Sequence, residues 1–197
     1  MRRVPERLRA RRLRLEEAGE EGFTLIELLV VLLIIGILLA IAIPTFLSVT
    51  KTANNTAAQA NLQTALTGAD TFYTDSNQTY AGIDWSGAVG VSNISQIDTG
   101  LTYVSAVVST KSNVISLYVD TGKDALVLAA YAPGTKYCWI VVDQKANVAA
   151  LTSTGAPAAL AGTYYGLNKT GTAACTASAT IASTSTPAFQ TTGFPHG

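Results

Sequence analysis

Histidine is almost missing from this chain. The one it has, His196, stands beside the last residue, so no internal imidazole exists to serve a Ser-His-Asp or Cys-His set. Charge is scarce too. Only 13% of the 197 residues are Asp, Glu, Lys or Arg, against 48% hydrophobic, and the formal net charge is zero. That is little charge for a soluble cytosolic protein. After residue 22 the positive charge comes from six scattered lysines, which argues against a specific nucleic-acid partner. No glycine-rich phosphate loop follows a strand pattern. Asp120 and Asp124 flank a turn, but Ca²⁺ takes about 6–8 oxygens and only this pair is in view. The turn is read as merely polar, with no metal and no cofactor. The composition thus points away from an enzyme.

What the chain has instead is one long apolar run. From Leu28 to Ile43 there is no polar side chain. Counted from Phe23, the segment makes roughly 30 Å of helix at about 1.5 Å per residue, enough to cross a bilayer core once. A secretory h-region is shorter, about 7–15 residues. Seven arginines lie between Arg2 and Arg14, and arginines ahead of an apolar span hold that end in the cytoplasm. The bulk of the chain, from about residue 44, is then expected outside. An arm binding RNA or lipid is the other reading of the arginines, but topology alone accounts for them. Glu27 is the odd feature, because a carboxylate just inside an apolar span is costly and marks a functional candidate.

The string Gly22-Phe23-Thr24-Leu25-Ile26-Glu27-Leu28-Leu29-Val30-Val31, with Gly36 and Pro44 beyond it, resembles the N-terminus of type IV pilins and pseudopilins. The resemblance covers roughly residues 15–75. It implies that residues 1–22 are a leader, cut between Gly22 and Phe23 by a prepilin peptidase that then methylates the Phe23 amine. It implies a segment that anchors the protein in the membrane and later packs in a filament core. Glu27 would pair with the Phe23 amine of a neighbouring subunit, and a misaligned subunit would leave that charge unpaired. A hydrated carboxylate at headgroup level is the plainer reading of Glu27. Gly36 and Pro44 weaken the helix, either as a kink that unwinds on assembly or as a bend at the membrane surface.

The rest of the chain predicts an α+β fold. Phe46, Val49, Ala53, Ala57, Ala60, Leu62, Ala65, Leu66, Ala69, Phe72 and Tyr73 recur at helical spacing and read as one buried stripe. Lys51, Asn54, Asn55, Gln59, Asn61 and Gln63 read as the solvated side. The helix should occupy 23–76, with 23–43 as its membrane or filament-core part, and end where Asp75-Ser76-Asn77-Gln78 signals a loop. A head over 77–150 follows, with Tyr80 and Trp85 expected against the stripe. Segments 101–109, 113–120, 125–131 and 136–143 predict an antiparallel meander of about four strands, one face on the helix and the other toward water or neighbouring subunits. Residues 151–197 are rich in Ser, Thr, Gly and Ala, and the part after Ile181 reads as weakly ordered.

Cys138 and Cys175 can bridge if the head lies in an oxidising compartment; otherwise they are two separate thiols. Asn54, Asn77, Asn93 and Asn168 each open an Asn-x-Ser/Thr triplet, which arises by chance in a chain so rich in threonine. The expectation is a structural filament subunit rather than an enzyme. Its partners would be a prepilin peptidase/methyltransferase, other pilin subunits, an inner-membrane assembly platform and, before assembly, the membrane. It would be a single-pass protein with a cytoplasmic N-terminus, then part of a cell-surface filament. The alternatives are a pseudopilin of a type II secretion or DNA-uptake system, and a single-span anchored binding module.

Overall fold

The computed structural model describes residues 22–83, 94–105, 107–147, 160–169, 175–178 and 189–196. The arginine cluster, Trp85 and Asn93 lie outside the described residues. The chain divides into two units, with the boundary between Phe46 and Leu47.

The first unit holds the start of α1, which runs Leu25–Asp75 and is unbroken at Gly36 and Pro44. Pro44 has no N–H to give the carbonyl four residues back. One position on, the Thr45 hydroxyl donates to the carbonyls of Ile41 (3.1 Å) and Ala42 (2.9 Å). The helix is long and apolar enough to cross a membrane.

In the second unit the helix meets a five-stranded sheet in the order β1 (Thr102–Ser105), β2 (Val114–Val119), β3 (Ala125–Ala132), β4 (Tyr137–Gln144) and β5 (Gly162–Asn168). A one-turn helix, α2 (Ile94–Ile97), precedes β1. The meander of 114–144 is antiparallel as its turns predict, but β1 pairs parallel to β2, Thr102 opposite Val114. The fifth strand falls in the small-residue segment and pairs antiparallel with β4, Cys138 opposite Asn168.

Alternation sorts the sheet into two cores. Ile115, Leu117, Leu126, Leu128, Ala130, Trp139, Val141 and Leu167 pack with Ala58, Leu62, Ala65, Leu66, Ala69 and Phe72 of α1. The opposite face was expected toward water or neighbouring subunits. It is instead a second core of Ala125, Val127, Ala129, Cys138, Ile140, Val142 and Tyr164, covered by Cys175, Ala177 and Phe189. Cys138 and Cys175 form a disulfide with Cα atoms 5.3 Å apart, and Ala177 N–H donates to the Ser116 hydroxyl at 2.8 Å. Residues 175–177 thereby lie across β2 and β4.

Residues 189–196 are bound to the sheet, whereas 182–188 and 197, the rest of the stretch read as weakly ordered, lie outside the described residues. Gln190 and Tyr165 exchange backbone hydrogen bonds of 2.8 and 3.0 Å at the β5 edge. Phe189 packs on the second core, whereas Phe194 stands edge-on to Trp139 and Tyr165 in the first.

The helix stripe is corrected in its first half. Phe46 is 71% and Val49 67% exposed, and the buried face begins at Ala58. The step from Ala60 to Leu62 is the cause: two residues rotate the helix by about 200°, so Val49-Ala53-Ala57-Ala60 and Leu62-Ala65-Ala69-Phe72 lie on different faces. The asparagines read as solvated face the sheet, where strand ends leave polar groups to satisfy. Asn55 Oδ1 accepts from the Thr135 hydroxyl (2.6 Å) and the Trp139 indole (3.3 Å), and Asn61 Nδ2 donates to the Ser112 carbonyl (2.8 Å). A Cβ on Gly134 would stand 2.9 Å from Lys51 Cα, so the β3–β4 turn touches helix backbone where only glycine fits.

Candidate functional site

Residues 22–24 are extended and α1 begins at Leu25. Gly22 has no neighbour that a Cβ would meet, and Phe23 is 84% exposed. The Gly22–Phe23 peptide is therefore a non-helical, open bond directly ahead of a helix.

Glu27 sits in the first helical turn, where a carboxylate complements the positive end of the helix dipole. Its Oε2 accepts from the Thr24 N–H (2.9 Å) and the Thr24 hydroxyl (2.8 Å), while Glu27 N–H donates to Thr24 Oγ1 (3.3 Å). This is a capping box, the reciprocal bonding of an N-cap threonine and a glutamate three residues on. Thr24 went unassigned in the sequence reading, although Thr-x-x-Glu ahead of an apolar run announces the motif. The box fixes a carboxylate about one turn from the Phe23 nitrogen, which becomes an amine if the chain is cut after Gly22. From Leu28 to Ile43 the helix carries no polar side chain, and every large apolar residue from Phe23 to Ile43 is at least 45% exposed.

In the second unit Asp70, Asp143 and Lys145 form a structural charge cluster. Asp143, 3% exposed, accepts from the buried Tyr80 hydroxyl and from the Thr163 hydroxyl at 2.9 Å. Lys145 Nζ lies 3.0 Å from Asp143 Oδ2 and 2.6 Å from Asp70 Oδ1, and 5.3 Å from the Tyr73 ring centre. Asp143 thus ties the loop after α1 to β4 and β5, and Lys145 extends the tie to α1 through Asp70. Burial, then the Asp143 charge, pushes the Tyr80 hydroxyl far up. Burial and Asp98 do the same to Tyr103. Burial opposes the Lys145 charge, but bonds to Asp70 and Asp143 outweigh it and hold its pKa above the ordinary value.

Asp120 is committed to its own turn. Oδ1 accepts from the N–H groups of Asp124 (2.9 Å) and Ala125 (2.8 Å), and Oδ2 from Gly122 (2.8 Å). Among the described residues no group of three metal-ligating side chains forms.

Comparison with known proteins finds no match among curated proteins or solved structures. Residues 18–43 match the family model of the prokaryotic N-terminal methylation motif, so the chain carries at its apolar helix the signature of type IV pilins and pseudopilins.

Proposed function

We propose that this protein is a structural subunit of a type IV pilus-like filament. A prepilin peptidase cuts it between Gly22 and Phe23 and the new amine is methylated. Residues 23–43 hold the product in the membrane until subunits pack together and the head is displayed outside. The observation that carries this reading is the exposure of the whole apolar surface from Phe23 to Ile43 beside the methylation motif. Covering one Val, Leu or Ile side chain is worth about 1.5–3 kcal/mol, so the run must be covered by lipid or by other subunits. Glu27 and the Phe23 amine of a neighbour are the register pair: removing the carboxylate leaves that amine without a counter-charge in the packed core.

The test separates the charge from the cap. Glu27→Gln keeps the capping box, since glutamine serves at the same position, but removes the charge. Mass spectrometry of the mature N-terminus should find methylated Phe23 in wild type, Glu27→Gln and Glu27→Val alike. Electron microscopy of sheared surface fractions should find filaments in wild type only. Filaments at normal yield from Glu27→Gln would remove Glu27 from the assembly step, and a mature start beyond Pro44 would remove the filament reading altogether.

A further inference from the structure

Four Asn-x-Ser/Thr triplets occur in the chain, and the structure treats those it describes differently. Asn54 lies mid-helix; its Nδ2 donates to the Thr50 carbonyl at 2.9 Å and would stand 3.0 Å from a Cβ on Gly134. Its amide is engaged and walled in by the β3–β4 turn. Asn168 is 8% exposed at the end of β5, paired with Cys138. Neither has room for a branched sugar.

Asn77 is the opposite case. It is exposed and follows the last turn of α1 with φ at 55°. The Gln78 N–H donates to the Tyr73 carbonyl at 3.0 Å, which closes the helix as a Schellman motif with Asn77 at its left-handed position. That geometry explains an asparagine at 77, because asparagine accepts a positive φ where most residues do not. It explains neither Thr79, two residues on, nor Asp75, two residues before. The Asn77 side chain makes no hydrogen bond among the described residues. The Thr79 hydroxyl accepts from the Ala81 N–H at 3.2 Å and donates to the Lys123 carbonyl of the β2–β3 turn at 3.5 Å, which leaves the Asn77 side chain untouched. Asp75 is exposed, and none of the other three triplets has an acid within the three residues ahead of it.

We infer that Asn77 is an N-glycan acceptor, recognised together with Asp75 and Thr79 by a membrane-bound oligosaccharyltransferase with a cationic subsite for the acid. The donor is a glycan linked through a diphosphate to a polyisoprenyl lipid. The Asn77 amide nitrogen forms a bond to C1 of the first sugar and gives up one proton to a base of the transferase. The bond from C1 to the diphosphate oxygen breaks, and the lipid diphosphate leaves with the electron pair. The sugar then projects from a polar turn into water, as such modifications require, with no repacking of either core. The inference rests on the proposed function in one respect, that the head lies outside the cytoplasm.

The test expresses the full-length chain in a bacterium whose oligosaccharyltransferase glycosylates a reporter triplet on the outer face of the cytoplasmic membrane. Peptide mass spectrometry with fragmentation should locate a glycan on Asn77 and none on Asn54 or Asn168. Asn77→Gln and Thr79→Ala should each abolish it, and Asp75→Asn should lower its occupancy. The state of the Cys138–Cys175 pair in the same sample reports where the head went. A bare Asn77 in chains with the bridge formed overturns the acceptor site, as does a glycan on Asn54 or Asn168 instead. A bare Asn77 with both thiols free overturns the outside location, and the proposed function with it. Full occupancy in Asp75→Asn overturns the role given to the acid.

Discussion

Asp143 is the group whose removal the head should feel most. In Asp143→Ala the Tyr80 hydroxyl, on a side chain with no exposed surface, loses its acceptor, and the Thr163 hydroxyl loses its partner at 2.9 Å. A buried donor left unsatisfied costs about 1–3 kcal/mol. Lys145 keeps Asp70 at 2.6 Å and is partly solvated, so its loss adds little. The expected destabilisation is about 2–4 kcal/mol, set chiefly by Tyr80. That attribution has its own test. Tyr80→Phe removes the orphaned hydroxyl, so the double variant should be less destabilised than the sum of the singles, with a coupling of about 1–3 kcal/mol. The assay is urea denaturation of the full chain in mild detergent, followed by the fluorescence of buried Trp139. Additive single effects would refute the claim that Asp143 acts through Tyr80. A wild-type midpoint for Asp143→Ala would refute the cluster as a source of stability.

Three further outcomes follow from described contacts. Gly134→Ala should push the β3–β4 turn off the helix and weaken the Asn55 bonds to Thr135 and Trp139, lowering stability by about 1–3 kcal/mol in the same urea assay. Tyr80 and Tyr103 are held protonated when folded but ionise near pH 10 when unfolded, so the unfolded state sheds protons the folded state keeps. Stability is intact below pH 10 and should fall above it by about 1.4 kcal/mol per pH unit for each tyrosine, with Lys145 acting in the same direction; Tyr80→Phe should reduce the slope in urea titrations between pH 9 and 11.5. Replacing Cys138 and Cys175 by alanine opens a loop of 37 residues, worth about 4 kcal/mol of unfolded-state entropy, and should expose residues 175–178 to limited proteolysis.

The parts of this fold legible in the sequence are those encoded locally. The end of α1 is announced by Asp-Ser-Asn-Gln, and strands β2 to β4 by alternating Val, Ile and Leu between turns. What escaped depends on contacts between distant segments. β5 has only Tyr164, Tyr165 and Leu167 as large apolar residues among Gly, Thr and Asn, and becomes a strand because β4 offers it an edge. The parallel placement of β1 has no signature in its four residues. The stripe on α1 was read through a phase break between Ala60 and Leu62, because alanine marks a face too weakly to reveal the turn. At the candidate site, Gly22, Phe23 and Glu27 stand in the stretch that the methylation motif matches, and the cap formed by Thr24 has only its Thr-x-x-Glu spacing as a signal.

The contacts of residues 189–196 with β4 and β5 also set the order in which the sheet can be finished. Trp139 acquires its edge-on neighbour only when Phe194 arrives, and β5 acquires its outer partner only with Gln190. At a synthesis rate of roughly 5–20 residues per second, these residues emerge several seconds after the strands they complete. The apolar face of α1 from Ala58 to Phe72 emerges earlier still and is covered strand by strand, from β2 to β5. Until Gln190 arrives, the sheet packed on α1 lacks its partner at the outer edge of β5. Closure of that edge, and with it resistance to proteases there, waits for Gln190 and Phe194.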